Sequence, residues 1–175
     1  MAEKNKKIDD IVDYLFEKDE ISFVLKLHLD IEQHIDALIE KIFLKPNYFL
    51  SRTFADKVKT LHSIGLIDES TTQHIIQFNQ IRNKFSHQYR YRLSQEDLTI
   101  MKNIYGNRPI NIPDRIKQIP NIEIMIILIQ ASGYLTGRLS YLQDIAKKID
   151  ILSMISTKNI IKNQDIEKNT NQQET

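Results

Sequence analysis

Residues 75–87 read Ile-Ile-Gln-Phe-Asn-Gln-Ile-Arg-Asn-Lys-Phe-Ser-His, and this stretch decides how the rest of the chain is read. Ile75, Phe78, Ile81 and Phe85 recur at three- and four-residue steps, which predicts an amphipathic helix with one buried stripe. Asn79, Asn83 and His87 follow one another at four-residue steps, stacking polar side chains along another face. Arg82 stands roughly 100° from Asn83 around the axis, at the edge of the apolar stripe, so only its long side chain can carry the guanidinium to the polar patch. An arginine, an asparagine and a histidine thus fall within two helical turns, which happens nowhere else in the chain.

Upstream, the apolar residues Val24, Leu27, Ile31, Ile35, Leu38 and Ile42 predict a long helix over 21–43, with His28, Glu32, Asp36 and Glu40 on its polar face, a pattern that usually marks a solvated surface. Pro46 ends that helix, and residues 47–51 read as a connection. Phe54, Val58 and Leu61 give the next helix its stripe, Gly65 is placed to terminate it, and 68–71 offer caps for the helix of residues 75–87. Nearer the N-terminus, Ile8, Ile11, Val12, Leu15 and Phe16 mark a short first helix.

Downstream, Ser94 and Asp97 resemble a capping box opening a helix through Leu98, Met101, Ile104 and Tyr105, which Gly106 stops. Residues 107–120 hold Pro109, Pro113 and Pro120 and read as a long loop, with Arg108, Arg115 and Lys117 extending a basic surface. Asn121 is placed to cap a last long helix, where Leu128, Leu135, Leu142 and Ile149 share a heptad stripe and Gly133 and Gly137 permit close helix approach. After about Ser156 the chain turns Asn-, Gln- and Lys-rich, so the expected organisation is one helical domain over 1–155 and a disordered tail over 156–175. The fold expected is all-α, an antiparallel bundle of about five or six helices.

The 175 residues carry a formal net charge of +1, so attraction to nucleic acid must come from a local patch. Such a patch is visible: no acidic residue lies between Ser70 and Gln95, while Arg82, Lys84, Arg90 and Arg92 are cationic. Lys84, Tyr89, Arg90, Tyr91 and Arg92 therefore read either as a polar connection with exposed arginines or as candidate nucleic-acid contacts, cations for phosphate and tyrosines for stacking on bases. Absence of Cys removes disulfides, thiolate metal sites and cysteine nucleophiles, and permits a reducing cytoplasm. No secretion signal is visible, and the apolar run 124–129 is too short to span a bilayer, so a soluble cytoplasmic protein without membrane contact is expected. No cofactor or metal is expected: no glycine-rich phosphate loop, serine elbow or dinucleotide fingerprint occurs, and the face shared by His28, Glu32 and Asp36 needs ligands from a second helix to hold an ion.

Arg82-Asn83-Lys84-Phe85-Ser86-His87 resembles the Arg-x4-His motif of the HEPN superfamily, all-helical domains that include RNA-cleaving toxins and antiviral proteins. Phe54-Ala55-Asp56-Lys57-Val58, Leu61 and Ile64-Gly65-Leu66-Ile67, followed by the Ile-Arg-Asn-x-Phe-x-His helix, resemble its mannitol-repressor-like branch, and the likeness covers residues 22–97. The resemblance implies a homodimer in which two motifs face each other across one cleft, with Arg82, Asn83 and His87 as catalytic residues of a metal-independent endoribonuclease. A toxin or defence effector of that kind implies an antitoxin or regulatory protein as partner. The residue types suit the chemistry, since a histidine can move a proton to or from a ribose hydroxyl and an arginine can offset charge on phosphate. The mannitol-repressor-like branch implies an alternative, a non-catalytic regulator that binds protein or nucleic acid through the same helices, with Arg82 and His87 capping their helix or lining a dimer seam.

Overall fold

A computed structural model describes the backbone of residues 20–171 apart from 89, 107, 113 and 120, and the side chains of those residues apart from 115 and 150–171. The helix expected around Ile8 to Phe16 lies outside the described residues, as does Tyr89. Among the described residues six helices follow in order: α1 (Glu20–Ile42), α2 (Asn47–Leu50), α3 (Phe54–Ser63), α4 (Glu69–His87), α5 (Gln95–Ile104) and α6 (Ile122–Asn171), with a 3₁₀ turn at Asp114–Ile116. No strand occurs among the described residues, and the architecture is an all-α bundle.

The helices begin and end where local chemistry directs. Thr53 caps α3 by accepting from the Asp56 amide at 3.3 Å, and Asp68 caps α4 through the Thr71 amide at 2.7 Å. Ser94 and Asp97 bond reciprocally at the start of α5, the Asp97 amide to Ser94 Oγ at 3.2 Å and the Ser94 amide to Asp97 Oδ2 at 2.9 Å. Gly65 closes α3 at φ +73°, with the Leu66 amide returning to the Leu61 carbonyl at 3.0 Å. Two boundaries differ from expectation. Residues 47–50 form one helical turn instead of an open connection, because Pro46 sits at a helix start, where its missing amide hydrogen costs nothing, and its carbonyl accepts from Leu50. The last helix continues to Asn171, through most of the stretch expected to be disordered; nothing after Gly137 is Gly or Pro, so each further residue adds a backbone bond to a helix already nucleated.

The core is built from the stripes seen in the sequence. Val24, Ile31, Ile35 and Leu38 of α1, Val58 and Leu61 of α3, and Ile75, Phe78 and Ile81 of α4 are fully or almost fully buried, and they meet Met101 and Ile104 of α5. The longest pairing in the fold is between α1 and α6. A side-chain bond reinforces it, with Gln143 Nε2 donating to the His34 carbonyl at 2.9 Å. At 23 and 50 residues, α1 and α6 are about 35 and 75 Å long, so α6 outruns its partner. Its heptad stripe records this: Leu128 and Leu135 are buried, Leu142 is half-buried and Ile149 is 61 % exposed. Over Ile122–Ile149 this helix is long and apolar enough to cross a membrane by length and composition alone, and its buried face packs into the bundle. The close approach that Gly133 and Gly137 permit is not made among the described residues, where a Cβ at either would meet nothing within 4 Å.

Candidate functional site

Helix α4 places the candidate catalytic residues. Its apolar stripe faces the core, fixing its rotation, so Asn79 and Asn83 lie half-buried on the flank and His87 is exposed at the last helical position. Arg82 does what its position demands: its Nη1 donates to Asn83 Oδ1 at 3.1 Å, which lays the guanidinium on the polar ridge. The Arg82 Nε is buried and has no hydrogen-bond partner among the described residues, a condition that buried polar groups rarely keep.

A residue from α1 joins this ridge. His28 is 4 % exposed, its Nε2–H donates to Asn79 Oδ1 at 3.0 Å, and its ring packs against Phe54 with centroids 4.4 Å apart. Burial lowers the pKa of His28 below its ordinary value; the nearby Arg82 guanidinium adds to this, against the opposing effects of Asn79 and Glu32. The site therefore holds a neutral imidazole behind Asn79, within the electrostatic reach of Arg82. His28 was legible in the sequence only as one member of a polar stripe, because its partner lies 51 residues away on another helix.

Of the rest of that stripe, Glu40 is exposed, while Glu32 and Asp36 are half-buried and paired. Lys57 of α3, which is 5 % exposed, places its Nζ 2.8 Å from Asp36 Oδ1 and 3.3 Å from Glu32 Oε1. Burial opposes the ammonium, but the two carboxylates outweigh it and raise the Lys57 pKa. His28 is thus held by Asn79, and Glu32 and Asp36 by Lys57, so the three do not converge on a common point.

The expected RNA-contacting group divides. Lys84 Nζ lies 2.7 Å from Asp97 Oδ1, and the Tyr91 hydroxyl donates to Asp97 Oδ2. Ser94 donates to the same carboxylate through its amide and, at 2.7 Å, its hydroxyl. Asp97 is 0 % exposed, and although burial opposes its charge, these donors outweigh it and hold its pKa at about 2. The Tyr91 ring turns inward, edge-on to Phe85 with centroids 5.1 Å apart. Lys84 and Tyr91 are therefore tied into a structural knot on Asp97 while remaining half-buried. Arg90 is exposed and stands at φ +57°, a left-handed conformation uncommon for a side-chain-bearing residue, and Arg92 is exposed with its Nη1 3.8 Å from Glu20 Oε1. The basic patch that looked unopposed within residues 70–95 is partly neutralised by acids from outside that window, Asp97 and Glu20.

What the arrangement can do is bind an acceptor-rich anion at Arg82 and Asn83 and present it to an exposed imidazole one turn further along the same ridge. Comparisons with protein-family models, with curated proteins and with solved structures find no match to this chain.

Proposed function

We propose that the chain is a metal-independent endoribonuclease of the HEPN kind, acting as a toxin or antiviral defence effector under control of a protein partner. The observation that carries the reading is the Arg82 guanidinium bonded to Asn83, with its Nε unpartnered, on the ridge that ends at exposed His87. In the reaction, one imidazole takes the proton from a ribose 2′-hydroxyl as that oxygen attacks phosphorus. The bond from phosphorus to the 5′-oxygen breaks, the leaving oxygen takes a proton from a second imidazole, and the products are a 2′,3′-cyclic phosphate and a 5′-hydroxyl. Arg82 offsets the charge that develops on the phosphoryl oxygens, and Asn83 holds Arg82 in place. The second imidazole is supplied by His87 of another copy, which makes a homodimer with apposed α4 helices part of the proposal. Arg90 and Arg92, exposed three and five residues after His87, guide the RNA strand.

Purified protein should cut single-stranded RNA in the presence of EDTA and leave cyclic phosphate ends. His87→Ala and Arg82→Ala should each lose cleavage with their helical dichroism intact, since exposed substitutions such as that at His87 typically change stability by less than about 0.5 kcal/mol. Loss of cutting on chelation, or a strictly monomeric active species, would reject the mechanism.

The second reading is a non-catalytic regulator that uses the same helices to bind protein or nucleic acid. The Asp97 knot favours it, because Lys84 and Tyr91 stabilise the fold where a nuclease groove would use them. Wild-type protein that leaves RNA uncut while binding an unmodified partner would decide for this reading.

A further inference from the structure

The loop between α5 and α6 borders a cleft of about 440 Å³ that the proposed ribonuclease chemistry does not use, with Lys102, Tyr105, Arg108, Lys117 and Glu123 among its walls. Its size is that of a small-molecule site. Tyr105 is 7 % exposed, and its hydroxyl has no hydrogen-bond partner among the described residues, a condition that buried polar groups rarely keep. Burial, and secondarily the Glu123 carboxylate, raise the phenol above its ordinary pKa, so it remains an O–H donor. Two of the three cations have carboxylates nearby: Lys102 Nζ is 3.8 Å from Glu123 Oε1, and Lys117 Nζ is 2.7 Å from Asp114 Oδ1. Arg108 is exposed and has no such partner among the described residues.

A second cleft of about 330 Å³ shares Tyr105 and Arg108 as a common wall and adds Gln130, Gly133 and Tyr134. The Gln130 Oε1 is likewise buried and unpartnered, Tyr134 is 39 % exposed, and Gly133 leaves the space beside it open. One side therefore offers a guanidinium and a hydroxyl donor, and the other an unpaired acceptor beside an aromatic face.

We propose that the two clefts form one binding site for a small phosphate ester. Its phosphate sits against Arg108 and the Tyr105 hydroxyl, with Lys102 and Lys117 at the rim. Its organic part, carrying an O–H or N–H donor for Gln130 Oε1, lies on Tyr134. A planar guanidinium suits phosphate because it can donate two parallel bonds to two oxygens. The proposal is independent of the ribonuclease reading, since it uses none of Arg82, Asn83 and His87.

The test is calorimetric titration of the intact chain with ribose 5-phosphate, adenosine 5′-monophosphate and inorganic phosphate. Binding of either ester, weakened about tenfold or more by both Arg108→Gln and Tyr105→Phe, supports the site; a tenfold change corresponds to loss of one good charge-assisted bond. Equal affinity for the two esters assigns the Gln130 donor to a sugar hydroxyl, and preference for the adenosine ester assigns it to a base. Gln130→Met should weaken the esters and leave inorganic phosphate unchanged, which separates loss of the acceptor from loss of the fold. The proposal is overturned if neither ester binds at about 1 mM, if ester affinity in either Arg108→Gln or Tyr105→Phe equals that of the wild type, if inorganic phosphate binds as tightly as the esters, or if only an RNA oligonucleotide binds.

Discussion

Asp97 shows how much of this fold rests on one carboxylate. It accepts from Lys84, Tyr91 and both donor groups of Ser94 while fully buried, so it links the end of α4, the loop after it and the start of α5. Asp97→Ala should lower unfolding free energy by about 3 kcal/mol in urea titrations, because it removes a buried charge from its partners and strands the Tyr91 hydroxyl. Lys84→Ala should cost less, since its side chain is 35 % exposed and Tyr91 and Ser94 still serve the carboxylate. Equal losses for the two variants would mean that the ion pair alone, and not the whole knot, stabilises the junction. Directly after Tyr91, Arg92 remains exposed, so Arg92→Ala should leave stability within about 0.5 kcal/mol of wild type.

Among the elements, the glycines give opposed predictions. Gly65 ends α3 at φ +73°, where a Cβ is sterically disfavoured, and Gly65→Ala should destabilise by about 1 kcal/mol despite open space around it. Gly137 lies inside α6 with nothing near its Cα hydrogen, so Gly137→Ala should stabilise by about 0.5–1 kcal/mol through helix propensity alone. A loss at Gly137 would show that another helix closes on this face in solution. Asp68 combines two roles, capping α4 and pairing with Arg138 of α6. Its bonds to Thr71 lower its pKa more than Arg138 does, and the pair is largely solvent-exposed. Asp68→Ala should therefore cost about 1 kcal/mol, mostly the cap, while Arg138→Ala costs much less; thermal unfolding of the two variants separates the terms.

For the whole molecule, stability should fall with acidity in two stages. His28 has a lowered folded pKa, so the unfolded chain takes up its proton first; the stability tied to its neutral form is complete above about 6.5 and declines as the pH falls below that value. Half-buried His74, whose pKa burial also lowers, contributes in the same direction. Asp97 follows: its stabilisation is complete above about pH 4 and is lost as the pH falls through about 2, a term on the order of 2 kcal/mol. Lys57 acts at the other extreme, where its raised pKa makes its contribution present below about 10.5 and lost as the pH rises through the folded value. Urea midpoints measured from pH 8 to pH 3 should show the first stage in wild type and a reduced one in His28→Gln. An unchanged slope near pH 6 in that variant would remove His28 from the account.

Local pattern is enough to specify most helices of the bundle and several of their ends, because stripes such as Val24 to Leu38 and Ile75 to Phe85, and caps such as Thr53, Asp68 and Ser94, act over distances of a few residues; the turn at 47–50 and the extension of the last helix escaped it. It also placed Arg82 and Asn83 close enough for the guanidinium to reach its neighbour, a matter of one side-chain length along one helix. Tertiary structure alone decided which polar residues face one another. The stripe of His28, Glu32 and Asp36 reads as solvated until α3 brings Lys57 and α4 brings Asn79 against it, and the basic run after His87 reads as open until Asp97 folds back onto Lys84 and Tyr91. Burial and charge partnership depend on contacts between helices far apart in the chain, and no local period records those contacts.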